Sequence, residues 1–161
     1  MLLTVCCASK RSMNRRVGSK MLLDKAKSKC QKKQKEIVSR DKKATRMHKA
    51  FNKQGYNVRQ YQLDGEVVKN QKCCDFLLIN DSLKKAYFIE LKGGNIDEAV
   101  PQLQAGERLC SPELKGYGFY YRIICSKVKT HNVEKNIFRK FKRSCGSRLK
   151  YNTNYMEETL S

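Results

Sequence analysis

Two carboxylates in this chain sit where carboxylates are costly. Asp75 falls in residues 73–80 (CCDFLLIN) and Glu90 in residues 86–91 (AYFIEL), two short apolar runs of the kind that form the middle of a sheet. A charge in such a place has to be paired, neutralised or given a metal ion. Lys92 follows Glu90 by two residues, so on a strand both side chains point to one face. If the runs pair across the turn at Asn80-Asp81-Ser82, Asp75 comes close to Glu90, and two acids and a lysine meet where the sheet opens. Paired hard oxygen ligands suit Mg²⁺ or Mn²⁺, and a neighbouring lysine can activate water and neutralise developing charge.

The triplet Glu-x-Lys is weak by itself. With 9 Glu and 24 Lys in 161 residues, composition supplies about one by chance, and the chain holds two. Glu113-Leu114-Lys115 follows a proline, with no apolar strand leading in and no preceding acid-bearing run, and serves as an internal control. Glu90-Leu91-Lys92 has an apolar approach, an acid-bearing run before it, and Gly93-Gly94 after it.

The elements that must position these residues are legible from pattern. Steps of four, three, four and three link Ile37, Asp41, Ala44, His48 and Phe51, which predicts a helix within residues 22–54, closed by Gly55. Residues 56–63 read as a strand ending at Asp64-Gly65, and the two acid-bearing runs as a hairpin. Asn95 with Glu98 three residues on is a capping box, and Ile96, Ala99, Val100 and Leu103 give the stripe of a helix, with Pro101 awkward inside it. Residues 116–125 (GYGFYYRIIC) predict a further strand, 133–141 a helix closed by Gly146, and a weak strand from Arg148. The sum is a mixed α/β fold, a central sheet with helices packed on it.

The pattern Asp75, a turn, Glu90-x-Lys92 and then a helix resembles the PD-(D/E)XK nuclease superfamily. The fuller string, LDG at 63–65, CDFLLIN at 74–80, YFIELKGGNIDEAVPQL at 87–103 and YRIICSK at 121–127, is similar to a group of small members of it. The resemblance covers residues 60–127 and leaves the flanks aside. It implies a restriction-endonuclease-like mixed sheet flanked by helices, one or two divalent metals (Mg²⁺ or Mn²⁺), and hydrolysis of phosphodiester bonds. Carried over, Asp75 and Glu90 bind metal, the backbone carbonyl of Leu91 assists, and Lys92 serves the water. Gln102, ten residues beyond Lys92, matches a glutamine on the following helix. The proline that often precedes the first acid is Cys74 here. The alternatives are a non-cleaving nucleic-acid binder on the same fold and an unrelated basic structural protein. Asp41, Asp64 and Glu66 are weaker candidates for a further ligand, and His48 reads first as a core histidine.

Charge bears on the partner. The net of +20 divides into +15 over residues 1–60, −3 over 61–114 and +8 over 115–161. Basic flanks around a slightly acidic middle point to a polyanion, nucleic acid with DNA as the expected form, held by salt-sensitive phosphate contacts. Residues 1–20 carry five basic residues and read as a disordered arm ahead of a single domain at 21–161. No apolar stretch approaches the roughly 20 residues of a membrane span, so no membrane role is expected. The eight cysteines contain no C-x-x-C and no export signal precedes them, so reduced structural thiols in a cytoplasmic protein are expected rather than zinc or disulfides. Strand form, sequence preference and oligomeric state stay open, a homodimer included.

Overall fold

A computed structural model describes residues 21–43, 45–127 and 136–161. The chain is a mixed α/β fold in three layers. The central layer is a five-stranded sheet in the order β3 (Val58–Gln62), β4 (Phe76–Asn80), β5 (Lys85–Lys92), β6 (Gly118–Cys125) and β7 (Leu149–Thr153). The pairs β3/β4 and β4/β5 are antiparallel, whereas β5/β6 and β6/β7 are parallel. That change of sense follows from the connections. A tight turn joins β4 to β5, while α1 (Ile96–Cys110) carries the chain over to β6 and α2 (Asn136–Cys145) lies between β6 and β7.

Side-chain alternation assigns the two faces. Leu77, Ile79, Phe88, Tyr121 and Ile123 pack with the buried stripe of α1 and with Phe138 and Phe141 of α2. Phe76, Leu78, Tyr87, Ile89 and Ile124 point the other way and meet Ile37, Ala50 and Met156. Both faces are covered, which is why β4 is buried along its whole length and reads as an unbroken apolar run.

What covers the second face corrects the sequence expectation. Residues 36–51 form no helix. They form β1 (Glu36–Arg40) and β2 (Met47–Phe51), an antiparallel pair that joins β8 (Tyr155–Thr159) in a three-stranded sheet. The buried residues are Ile37 and Ser39 on one strand, opposite Ala50 and His48 on the other. Two period-2 segments separated by a turn imitate steps of three and four, and the β-branched Ile37 and Val38 favour the strand. Helices therefore flank only one face among the described residues.

The hairpin over 76–92, the strands at 58–62 and 118–125, and the helix from Asn95 stand where expected. Asn95 caps α1 by accepting from the Asp97 amide, and its own amide donates to Glu98. The strand from Leu149 forms, but β8 was not expected. Residues 1–20, the proposed arm, and residues 133–135 of the helix predicted over 133–141 lie outside the described residues. No helix among the described residues is long and apolar enough to cross a membrane.

Two devices join the layers. Asn154, in the left-handed region at φ 56°, lies between β7 and β8; its amide donates to Cys125 and its carbonyl accepts from Met47. Buried Arg122 of β6 forms a two-toothed pair with Glu158 of β8 at 2.6 and 2.7 Å, and His48 Nε2 lies 2.9 Å from the same carboxylate. Arg122 also donates to the carbonyls of Tyr121 and Arg148 and lies over the Tyr87 ring. A charge this deep survives because every side of it is matched. His48 is thus a partnered core histidine on a strand.

Candidate active site

The register of the hairpin brings the acids together. Phe76 pairs with Ile89, so one step further along the ladder sets Asp75 opposite Glu90. Asp75 precedes the first residue of β4, and its Oδ2 accepts the Leu91 amide at 2.7 Å. Glu90 and Lys92 occupy the same face of β5 as Phe88, the face on which α1 packs. Glu90 is 2% exposed.

From that helix Gln102 reaches both. With its amide oriented to suit its neighbours, it donates to Glu90 Oε1 at 2.7 Å and Oε2 at 3.3 Å and accepts from Lys92 Nζ at 2.8 Å. Pro101 thus leaves the aim of Gln102 intact, and its ring faces outward. Lys92 Nζ stands 4.0 Å from Glu90 and 3.2 Å from Glu98. Asp75 makes no ion pair with Lys92; the Leu91 amide satisfies it instead.

The helix sits unusually close to the sheet. A Cβ on Gly106 would fall 2.5 Å from Cys74 Sγ, so only glycine lets α1 approach the strand at that depth. Gly106 is one turn beyond Gln102, and Cys74 adjoins Asp75. The contact therefore fixes how far the glutamine projects toward Glu90.

Electrostatics reflect the crowding. Burial pushes Glu90 from 4.5 up to about 9, and the Asp75 charge adds to the rise against the opposing pull of Lys92. Burial also raises Asp75, offset in part by the Leu91 amide. The negative charge of Asp64 raises both further. Carboxyl groups held so far from their ordinary range, side by side, mark a place that a cation would relieve.

Of the cluster only Asp75 reaches a cavity of about 850 Å³, which it lines with Leu91 between a wall of Arg40, Asp41 and Lys42 and another of Asp64 and Glu66; Glu90 lies buried behind it. Of the weaker acids, Asp64 is exposed at the cavity and Glu66 pairs with Lys29 at 2.7 Å. Asp41 binds Thr45 and Arg46. Among the described residues no group of three or more His, Cys, Asp or Glu side chains is assembled as a metal cage. The two carboxylates, with the Leu91 backbone carbonyl that the resemblance adds, would make a set of hard oxygens suited to Mg²⁺ or Mn²⁺, most of the shell being left to water.

Glu113, the control triplet's acid, has another duty. Its carboxylate accepts the amides of Leu22, Leu23 and Asp24, and so pins the segment that buries Leu23. The six described cysteines are free thiols, five of them buried, and burial raises their pKa values. Sequence reasoning missed Arg46, Arg122 and Glu158. The one local signal among them is an Arg inside an apolar strand, Arg122.

Compared with protein-family models, curated proteins and solved structures, the chain matches none.

Proposed function

We propose that the protein is a divalent-metal-dependent nuclease of the PD-(D/E)XK type, hydrolysing phosphodiester bonds of nucleic acid, with DNA as the first substrate to test. The observation that supports this reading is the convergence of Asp75, Glu90, Lys92 and Gln102 from the β4/β5 hairpin and α1, with Asp75 lining an open cavity. Asp75, Glu90 and the Leu91 carbonyl are the groups to hold Mg²⁺ or Mn²⁺. When bound, the ion supplies charge neutralisation at the phosphate and a lowered pKa for water.

The protein's own groups do the rest. Gln102 holds the Glu90 carboxylate and the Lys92 ammonium in fixed relation. Lys92, tied back by Gln102 and Glu98, keeps further donors for a water or a phosphate oxygen, where it orients the one and stabilises charge on the other. The cluster is rigid because each member is bonded to a different element, so little reorganisation is needed on reaction.

The deciding experiment incubates the protein with Mg²⁺ or Mn²⁺ and single-stranded, double-stranded and branched DNA beside RNA, with Asp75→Ala as control. Cleavage by the wild type and none by the variant supports the proposal. That no third carboxylate joins Asp75 and Glu90 in a ready metal-binding group among the described residues favours one second reading, a non-cleaving nucleic-acid binder. Binding without cleavage of any substrate form would establish that reading instead.

A further inference from the structure

Arg46 has no role in the site as assigned so far, yet it is built into it. Its Nη2 is 2.5 Å from Asp41 Oδ2, and its Nη1 donates to Ser126 Oγ at 2.7 Å. Ser126 is itself locked to the end of β5, where its amide donates to the carbonyls of Lys92 at 3.1 Å and Gly93 at 2.9 Å. A Cβ on Gly93 would lie 3.7 Å from Arg46 Nη1, so the guanidinium rests directly over the residue after Lys92. Nε is buried and has no partner among the described residues. Arg40, the last residue of β1, and Lys42, on the connection to β2 that also carries Arg46, line the cavity that Asp75 opens into.

We infer that Arg46 is the phosphate-orienting residue of this site, holding a phosphodiester of the bound strand beside Asp75 and Lys92; the inference rests on the nuclease reading for its link to cleavage, but not for the contact itself. Two features carry it. The fork is clamped at the end of the strand bearing Glu90 and Lys92, beside Gly93. An arginine presents a planar, fixed fork that matches phosphate oxygens, and Asp41 and Ser126 remove much of the side-chain freedom that binding would otherwise have to freeze. The Asp41 pair then acts as a placeholder, yielding a donor to the phosphate when the strand arrives.

The test uses the full chain and a labelled DNA oligonucleotide of whichever form binds. Binding is measured in chelator across a salt series, and cleavage with Mg²⁺. Arg46→Gln is expected to reduce the slope of log affinity against log salt by about one. It is expected to lower kcat by about a hundredfold, as a misplaced reactant does. Arg46→Lys should recover the slope but not the rate, since a point charge replaces the charge and not the fork. Ser126→Ala, which removes one anchor, gives a milder loss of rate with the slope intact, and covers the case in which Arg46→Gln does not fold. An unchanged slope in a folded Arg46→Gln overturns the inference, as does, where Arg46→Gln does not fold, an unchanged rate in a folded Ser126→Ala. Failure of the wild type to cleave overturns the nuclease reading alone, and the salt slope still decides on Arg46.

Discussion

Glu90 is the residue on which the site's energetics turn. In the unfolded chain it titrates near the ordinary 4.5, and in the fold burial and Asp75 lift it to about 9. The folded state therefore binds the extra proton between those values, so stability from this group is complete below about pH 4.5 and is lost as pH rises toward 9. In chelator, the unfolding free energy of the wild type relative to Glu90→Gln should fall by up to about 1.4 kcal/mol per pH unit across the neutral range. Urea titrations at several pH values read this directly, and a flat difference would show that Glu90 is already ionised. The same substitution removes one of the two carboxylates proposed to hold the metal, so on the nuclease reading a more stable variant should also be an inactive one. Lys115→Ala is the clean control at this scale. Glu113→Ala is not, because its carboxylate secures residues 22–24.

At the scale of elements, the close approach of α1 to the strand decides whether Gln102 reaches its partners. Gly106→Ala places a methyl group against Cys74 Sγ, and overpacking of this kind costs about 1–3 kcal/mol. The helix has to move outward to relieve it, carrying Gln102 away from Glu90, so cleavage should fall more than stability alone explains. Adding Cys74→Ala makes room for the methyl. The double variant should regain most of both losses, a coupling that a double-mutant cycle measures. Additive losses would mean that the helix does not yield there.

Over the whole molecule, one buried ion network ties the three-stranded sheet to the five-stranded one. Burial pushes the Glu158 carboxyl up, but its hydrogen bonds with His48 and Arg122 and the Arg122 charge outweigh this and hold it well below the usual carboxylate range. Its contribution is present above the unfolded carboxylate pKa and is lost as pH falls through that value toward the depressed one. Glu158→Ala leaves Arg122 buried without its counter-ion and should destabilise the fold by about 3–5 kcal/mol, read by denaturant unfolding at neutral pH. A loss under 1 kcal/mol would mean that water reaches Arg122 in the variant. Charge at this scale governs partner binding instead. Asp75→Ala should still bind DNA in chelator, because the basic flanks are untouched, and that binding should weaken steeply with salt.

The sequence by itself determined the core of the site: the acid-bearing runs, the turn between them, the capped helix and the Glu90-Leu91-Lys92 spacing are all local signals. Strand parity placed Glu90 and Lys92 on one face, and ladder register needed only a hairpin to bring Asp75 beside them. The layer over the other face was not legible. Ile37, His48 and Phe51 satisfy a helical period as well as two strands do, and the choice rests on pairing with β8, about a hundred residues away in the chain. Arg46 and Glu158 were hidden for the same reason. Each acquires meaning only from partners far along the chain, Ser126 for one and Arg122 for the other, and such distances are closed by tertiary packing rather than by any local preference.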